Sequence, residues 1–326
     1  MSHPPSKPAA VRTVEVDPED ADQRVDNFLM RHLKGVPRSR IYRILRRGEV
    51  RVNGRRTGPE YRICAGDKVR IPPVRTGAVS AAGPVPVPPG LASSILYEDD
   101  RFLVLDKPAG MAVHGGSGVS HGVIEALRAL RPQARFLELA HRLDRDTSGC
   151  LLVAKRRSAL RAVHELLRTG GVEKRYLALV QGRWQGGVRS VDAPLRKNQL
   201  RSGERMVRVD ATGKSAHTLF RPVTAFGQAT LVEAELGTGR THQIRVHAAH
   251  IGHPIAGDEK YGDPAFNRAM RSLGVRRLFL HAHSLAFSEP GGDREVHVSA
   301  PLAADLRSVL DVLEQDGRPA RQHAGV

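Results

Sequence analysis

Any fold for this chain must first accommodate the stretch from 73 to 94, PVRTGAVSAAGPVPVPPGLASS. It is crowded with Pro, Ala and Gly and has almost no large apolar side chain, so it cannot run through a hydrophobic core. Its prolines lack backbone donors and hold the chain extended, which disfavours helix and central strand alike. The chain has 326 residues, beyond the roughly 250–300 at which single cores stop growing. Two bodies joined by a linker are therefore expected. A small one spans 22–72 and a large one 95–314, with loose tails at 1–21 and 315–326.

The small body concentrates the charge. Residues 22–72 hold fourteen Arg and Lys against five Asp and Glu, a surplus of nine within a whole-chain net charge of +17. A polyanionic partner is the physical reason for such an excess. A coding bias explains why Arg outnumbers Lys 42 to 9, but it exchanges one cation for another and leaves the charge in place. In 24–34, Val25, Phe28, Leu29 and Leu33 recur at helical spacing, and Gly35 and Pro37 break the run. Ser39 is the expected N-cap of a second helix reaching Arg47. There Ile41, Ile44 and Leu45 share a face while Arg40, Arg43 and Arg47 point elsewhere, and Gly48 ends it. Val50 to Val52 reads as a strand entering an Asn53-Gly54 turn, and Val69 to Ile71 as its closing partner.

Two cysteines, Cys64 and Cys150, lie far apart and outside any Cys-x-x-Cys pair, so neither a disulfide framework nor a cysteine zinc site is expected. No run of about 18 apolar residues suggests a membrane span. The first residues lack the apolar segment of a secretory signal, which gives a cytoplasmic expectation.

In the large body, Phe102 to Leu105, Leu151 to Ala154, Tyr176 to Val180 and Thr230 to Ala234 read as strands. Val123 to Leu130 and Ser158 to Arg168 read as helices, the second stopped by Gly170-Gly171. Strands predominate without regular β-α-β alternation. The expected class is α+β with a mixed, mainly antiparallel sheet. Between two apolar segments lies Ala140-His-Arg-Leu-Asp-Arg-Asp-Thr-Ser-Gly149. So many polar groups inside a protein are costly unless they satisfy one another or a ligand. Arg142 and Arg145 flank Asp144, which keeps a carboxylate ionised and available as nucleophile or base. A capped structural turn with surface ion pairs accounts for the same residues, and physical features alone leave both readings open.

The run SRIYRILRRGEVRVNGRR, followed by AGDKVRIP, resembles the S4 RNA-binding domain over about fifty residues. That resemblance implies that Arg38, Arg40, Arg43, Arg46, Arg47, Arg55 and Arg56 face RNA phosphates. HRLDRDTSG, followed by LLVAKRRSAL, resembles the catalytic motif of the RluA-type pseudouridine synthases. EKRYLALVQG, GTGRTHQIRVHAAHIGHPIAGDEKYG and LFLHAHSLAF extend the likeness in order over nearly the whole chain. By this resemblance Asp144 is the essential carboxylate, and Tyr176 stacks on the target base and takes part in proton movement. Arg245 pairs with Asp144, Arg142 probes the RNA stack, Leu280 packs on the flipped base and Arg240 assists with phosphate. The implied fold has a central cleft in a mixed sheet. The implied partner of this monomer is RNA, namely 23S ribosomal RNA or a large-subunit assembly intermediate, although a related synthase acting on tRNA or other ribosomal RNA sites would carry the same catalytic motif. The isomerisation gains and loses no atoms, so no cofactor and no metal is expected.

Three other readings compete. An S4-type ribosome-binding protein without activity fits the basic body but gives no use for the polar loop. His242, His247, His250, His253, His281 and His283 could hold zinc, yet they interleave with core positions. His141-Arg142-Leu143-Asp144 and Gly115-Gly116-Ser117-Gly118 superficially resemble kinase elements, but Asp-Phe-Gly and Gly-Lys-Ser/Thr are missing, and the glycines read as a turn.

Overall fold

The computed structural model describes residues 10–33, 35–74, 85–116, 121–199, 205–289 and 294–316. It divides into two compact units, Met1–Val85 and Pro86–Val326.

The first unit contains β1 (Arg12–Glu15), α1 (Val25–His32), α2 (Arg38–Arg46), β2 (Arg51–Val52), β3 (Arg55–Arg56) and β4 (Lys68–Ile71). The strands form an antiparallel sheet in the order β1-β4-β2-β3. Between β2 and β3, Asn53 and Gly54 both have positive φ (50° and 78°), as the two-residue hairpin turn requires. Phe28, Leu29, Ile41, Ile44, Ile63, Val69 and Ile71 are its fully buried core.

Three expectations need correction here. Residues 12–16 are not part of a tail: β1 pairs with β4 and Val16 is buried. The alternation of Val14 and Val16 with polar neighbours is the strand signal behind it. Ser39 does not cap α2. Pro37 occupies the N-cap position and its carbonyl accepts the Arg40 and Ile41 amides. The stretch 73–94 is also packed towards its ends, with Val74 in the first core and Leu91 in the second. Residues 75–84, the outermost tails 1–9 and 317–326, and the Ser117-Gly118 part of the glycine-rich turn lie outside the described residues.

The second unit contains strands β5 (Ile95–Glu98), β6 (Phe102–Lys107), β7 (Glu138–Leu139), β8 (Ser148–Ala154), β9 (Val172–Gln181), β10 (Arg189–Asp192), β11 (Leu195–Gln199), β12 (Arg205–Val209), β13 (His217–Phe226), β14 (Ala229–Leu236), β15 (Leu280–Ser288) and β16 (Glu295–Ser299). Its helices are α3 (Val123–Leu130), α4 (Arg157–Thr169), α5 (Gln243–His250), α6 (Pro264–Ser272) and α7 (Ala304–Asp316). Ten strands make one sheet in the order β10-β13-β14-β9-β15-β8-β6-β5, with β16 on β15 and β7 on β8, while β11 and β12 pair separately.

This sheet has a core on each face. Leu103, Leu105, Leu151 and Val153 pack with α3, α6 and α7, whereas Phe102, Val104, Leu152 and Ala154 pack with α4. Burial on both faces explains why β6 and β8 read as unbroken apolar runs. The pairings are antiparallel except β8 with β15, where His281 lies opposite Ser148 and Ala282 opposite Gly149. Gly149 has φ +106°, and a Cβ there would stand 2.2 Å from the Ala282 carbonyl oxygen. Only glycine lets the strands meet at this point, and the polar loop ends there.

Candidate active site

The loop between β7 and β8 is anchored from several sides. The Leu152 amide donates to His141 Nε2 at 3.1 Å, and His164 Nε2 bonds the Ala140 carbonyl at 3.1 Å. Burial, aided by the charge of Lys174, pushes the His141 imidazole down to about 4, so it is neutral at physiological pH. Lys107, fully buried at the end of β6, donates to the carbonyls of Pro108, Met111 and Arg145 at 2.7, 2.9 and 3.0 Å. Ser148 Oγ and His281 Nδ1 share a 2.9 Å hydrogen bond. The turn itself closes through the Thr147 amide on the Asp144 carbonyl.

These anchors fix Asp144 opposite α5. Arg245, in the first turn of that helix, reaches Asp144 Oδ2 with Nη1 at 3.2 Å. Its Nε and Nη2 grip Asp258 at 2.7 and 2.8 Å. The Asp258 side chain is fully buried and also accepts the Lys260 and Tyr261 amides. Burial works to raise the Asp258 pKa, but the Arg245 fork and the two amides outweigh it and hold it below the ordinary carboxylate value.

Helix α5 starts where it does because of Gln243. Its Oε1 accepts from Thr238 Oγ1 and the Arg240 amide, and its Nε2 donates to the His217 carbonyl and Thr218 Oγ1. Four bonds use the full capacity of a buried amide. Just before it, His242 sits at φ +55°, with Nδ1 2.8 Å from the Tyr261 hydroxyl and Nε2 3.9 Å from Asp144 Oδ2.

Asp144, Tyr176, Arg245, Arg142, Arg240 and Leu280 all line one cleft of about 1060 Å³. Tyr176, on β9, is buried, and burial followed by the Asp144 charge raises its phenol well above the ordinary value. It is therefore a phenol at neutral pH and can donate a hydrogen bond. Leu280 begins β15 as a buried apolar wall. Arg240 is tied through Nε to the Ser215 carbonyl at 2.9 Å.

Comparison with known proteins places this geometry. The family profile described as RNA pseudouridylate synthase matches residues 101–250, and the S4 domain profile matches 23–69. Ribosomal large subunit pseudouridine synthase C of Escherichia coli (strain K12) is 56% identical over 309 residues, covering 93% of this chain and 97% of that protein. The chain belongs to the RNA pseudouridylate synthases. The protein of the same name from Yersinia pestis is 54% identical over 94% of this chain and 97% of its own length. Among solved structures, human RNA pseudouridylate synthase domain containing 4 is 27% identical with a TM-score of 0.56, covering 69% of this chain and 94% of its own.

Within the synthase, the pairing expected from the loop sequence is corrected. Arg145 turns to Asp146 at 3.1 Å and Arg142 is exposed, so neither neighbour in sequence holds Asp144. The partner is Arg245, 101 positions away. Among the described residues, four of the six histidines considered for zinc bond protein groups: His242 bonds Tyr261, His247 bonds Thr218 and Ala193, His253 bonds Gln181, and His281 bonds Ser148 and Ala300. In the S4 unit, the side chains of Arg38, Arg40, Arg43, Arg46 and Arg55 make no hydrogen bond or ion pair among the described residues. Arg56, by contrast, donates to the Arg47 carbonyl at 2.9 Å, and Arg47 stands 3.8 Å from Glu49. Asp258 and Tyr261 had no role assigned from sequence, and His242 was weighed there only as a metal ligand. Asp258 and Tyr261 lie in GDEKYG, a polar turn whose burial no periodicity announces.

Proposed function

We propose that this synthase isomerises uridine to pseudouridine in ribosomal RNA, at several uridines of the 23S molecule, with Asp144 as the reacting carboxylate. The observation that carries the assignment is the unequal use of its two oxygens. Oδ2 faces Arg245 at 3.2 Å, and no hydrogen bond among the described residues engages Oδ1. One oxygen is held and the other is free to react. The name and 56% identity of the Escherichia coli relative support ribosomal RNA of the large subunit as the substrate.

The reaction breaks N1–C1′, turns the uracil and joins C5 to C1′. The target base first leaves its stack, at a cost of a few kcal/mol offset by new contacts. Tyr176 supplies the stacking surface and Leu280 the apolar wall that retains the detached uracil. Arg142, exposed at the cleft, enters the space the base vacates. The free Asp144 oxygen then attacks C1′ or removes a sugar proton to give a glycal-like intermediate. Arg38, Arg40, Arg43, Arg46 and Arg55, whose guanidinium groups are uncommitted, carry the phosphate contacts of the S4 unit.

Asp144→Asn tests the assignment. Ribosomal RNA incubated with the variant and probed by carbodiimide primer extension should show no new pseudouridine, whereas the wild type leaves stops at its sites. Substantial modification by the variant would remove Asp144 from the chemistry.

A further inference from the structure

Two lysines of the catalytic unit are withdrawn from solvent, and their surroundings differ. Lys107 is matched by three carbonyl oxygens. Lys174 is 7% exposed, yet among the described residues no carboxylate pairs with it and no acceptor takes a hydrogen bond from its ammonium. Its ammonium is not sealed off but opens into the cleft, and holding a charge there, largely desolvated and without a counter-ion, costs free energy. Burial accordingly pulls its pKa down from the ordinary lysine value.

Lys174 is two residues before Tyr176 on β9, so both side chains leave the same face of the strand. Both line the cleft that holds Asp144. His141 lies near enough to feel the lysine's charge, and Arg142, His164 and Arg168 line the same cleft. His141 is neutral and the two arginines are themselves cations, so none of these side chains compensates the ammonium.

We propose that the Lys174 end of the cleft is an anion site for a backbone phosphate flanking the flipped uridine. This inference rests on the RNA-modifying reading above and names the part of the substrate that the lysine receives. A uracil carries no negative charge before bond cleavage, whereas a phosphodiester carries one in every state. Lysine suits it as a compact point charge with three donors. Along β9, Lys174 and Tyr176 are about 7 Å apart, the scale of one backbone repeat. A phosphate on Lys174 leaves its neighbouring base within reach of Tyr176.

The test uses the full-length protein and a short ribosomal RNA fragment containing a target uridine, with binding read by fluorescence anisotropy at several salt concentrations. Lys174→Met should bind about tenfold more weakly at moderate salt, with a slope of log affinity against log salt shallower by about 0.7–0.9. An RNA with a neutral methylphosphonate at one phosphate flanking the target should weaken wild-type binding by the same factor. It should leave Lys174→Met unchanged. Lys174→Met should also melt at or above the wild-type temperature, since it removes an uncompensated charge. An unchanged slope with loss of turnover alone would assign the lysine to the base and overturn the phosphate site. So would equal sensitivity of both proteins to the methylphosphonate. If the variant fails to fold, the wild type decides alone: no loss with a methylphosphonate at either flanking phosphate refutes the site. Binding is measured apart from turnover, so a wild type that makes no pseudouridine yet shows the methylphosphonate effect would refute the functional reading and leave the site standing.

Discussion

Arg245 shares one guanidinium between two carboxylates unequally, and the inequality predicts that stability and activity separate. Asp258, with no exposed side-chain surface, takes two short bonds, whereas Asp144, 27% exposed, takes one at 3.2 Å. Asp258→Asn leaves a largely buried Arg245 without its anionic fork. Breaking a buried pair from one side costs about 3–5 kcal/mol. In a unit of this size each kcal/mol moves Tm by roughly 2–4 °C, so the catalytic unit should melt about 6–20 °C lower. Asp144→Asn removes only the longer, half-exposed contact, worth at most about 1 kcal/mol, and should melt within about 4 °C of wild type while inactive. Acid adds a signed check. The Asp258 pKa lies below its ordinary 3.8 when folded. Its stabilisation is therefore fully present above that value and is lost as pH falls through the lower folded value. The gap in Tm between wild type and Asp258→Asn should close on acidification below about 3.8. Scanning calorimetry of the full-length proteins from neutral pH downward measures both effects, following the transition of the catalytic unit. Equal melting of the two asparagine variants at neutral pH would refute the division of roles.

Replacing Arg43 and Arg46 together by Gln should flatten the salt dependence of RNA binding by about 1.4–1.8, two phosphate contacts at roughly 0.7–0.9 each; an unchanged slope in a titration would place RNA elsewhere. Tyr176→Ala should lower kcat far more than RNA affinity in single-turnover and binding assays, because the ring meets only the flipped base. Burial pushes the Cys150 thiol up to about 12, whereas Cys64 is exposed. A thiol reagent at pH 8 should thus label one cysteine in the native protein and two after unfolding, and labelling of both in the native state would contradict this. Lys107→Met should melt lower, since three partly buried carbonyls lose their donor. Burial lowers the Lys107 pKa to about 8 from 10.5, so the unfolded chain holds a proton the folded one has lost between those values. The wild-type advantage in Tm should therefore widen as pH rises through that window.

What sequence reasoning could read was set by whether polarity tracked exposure. Leu103 and Leu105 against Phe102 and Val104 are apolar on both faces, so β6 was legible as a buried strand. In α4, Ala159 and Val163 are buried and Leu160, Leu166 and Leu167 pack partly buried beside them at helical spacing, and Gly170 ends the helix at φ +83°. Helix α5 gave no such signal. Its buried face includes Gln243 and His247, whose side chains are satisfied by Thr218, Thr238 and backbone rather than by solvent. A polar residue with protein partners reads in sequence like a surface residue. The loop around Asp144 was legible as a dense polar segment, but local chemistry alone pointed to the wrong ion pair. Adjacent arginines suggested local pairing, and only the family resemblance pointed to Arg245, which the fold supplies from a distant helix. Asp258 was invisible for the same reason: its carboxylate is buried only because Arg245 and two amides meet it there.

The charged groups of the catalytic unit can be ranked by how fully the protein compensates them, and the ranking separates scaffold from chemistry. Asp258 has a fork and two amides, and Lys107 has three carbonyls. Neither has capacity left for a ligand, so each can only hold elements in place: α5 against its following turn, and the end of β6 against the Asp144 loop. Asp144 is half-compensated, one oxygen held and one free. Lys174 has no partner among the described residues. A fold cannot retain such shortfalls for stability, because each costs free energy that a neutral side chain would not. They persist where a substrate completes them. Among the described residues, one carboxylate oxygen and one ammonium that line this cleft have no hydrogen-bond partner. A sugar that reacts with an oxygen and a phosphate that accepts from an ammonium are adjacent parts of a single nucleotide strand. The two deficits together thus describe the shape of an RNA backbone more closely than either does alone.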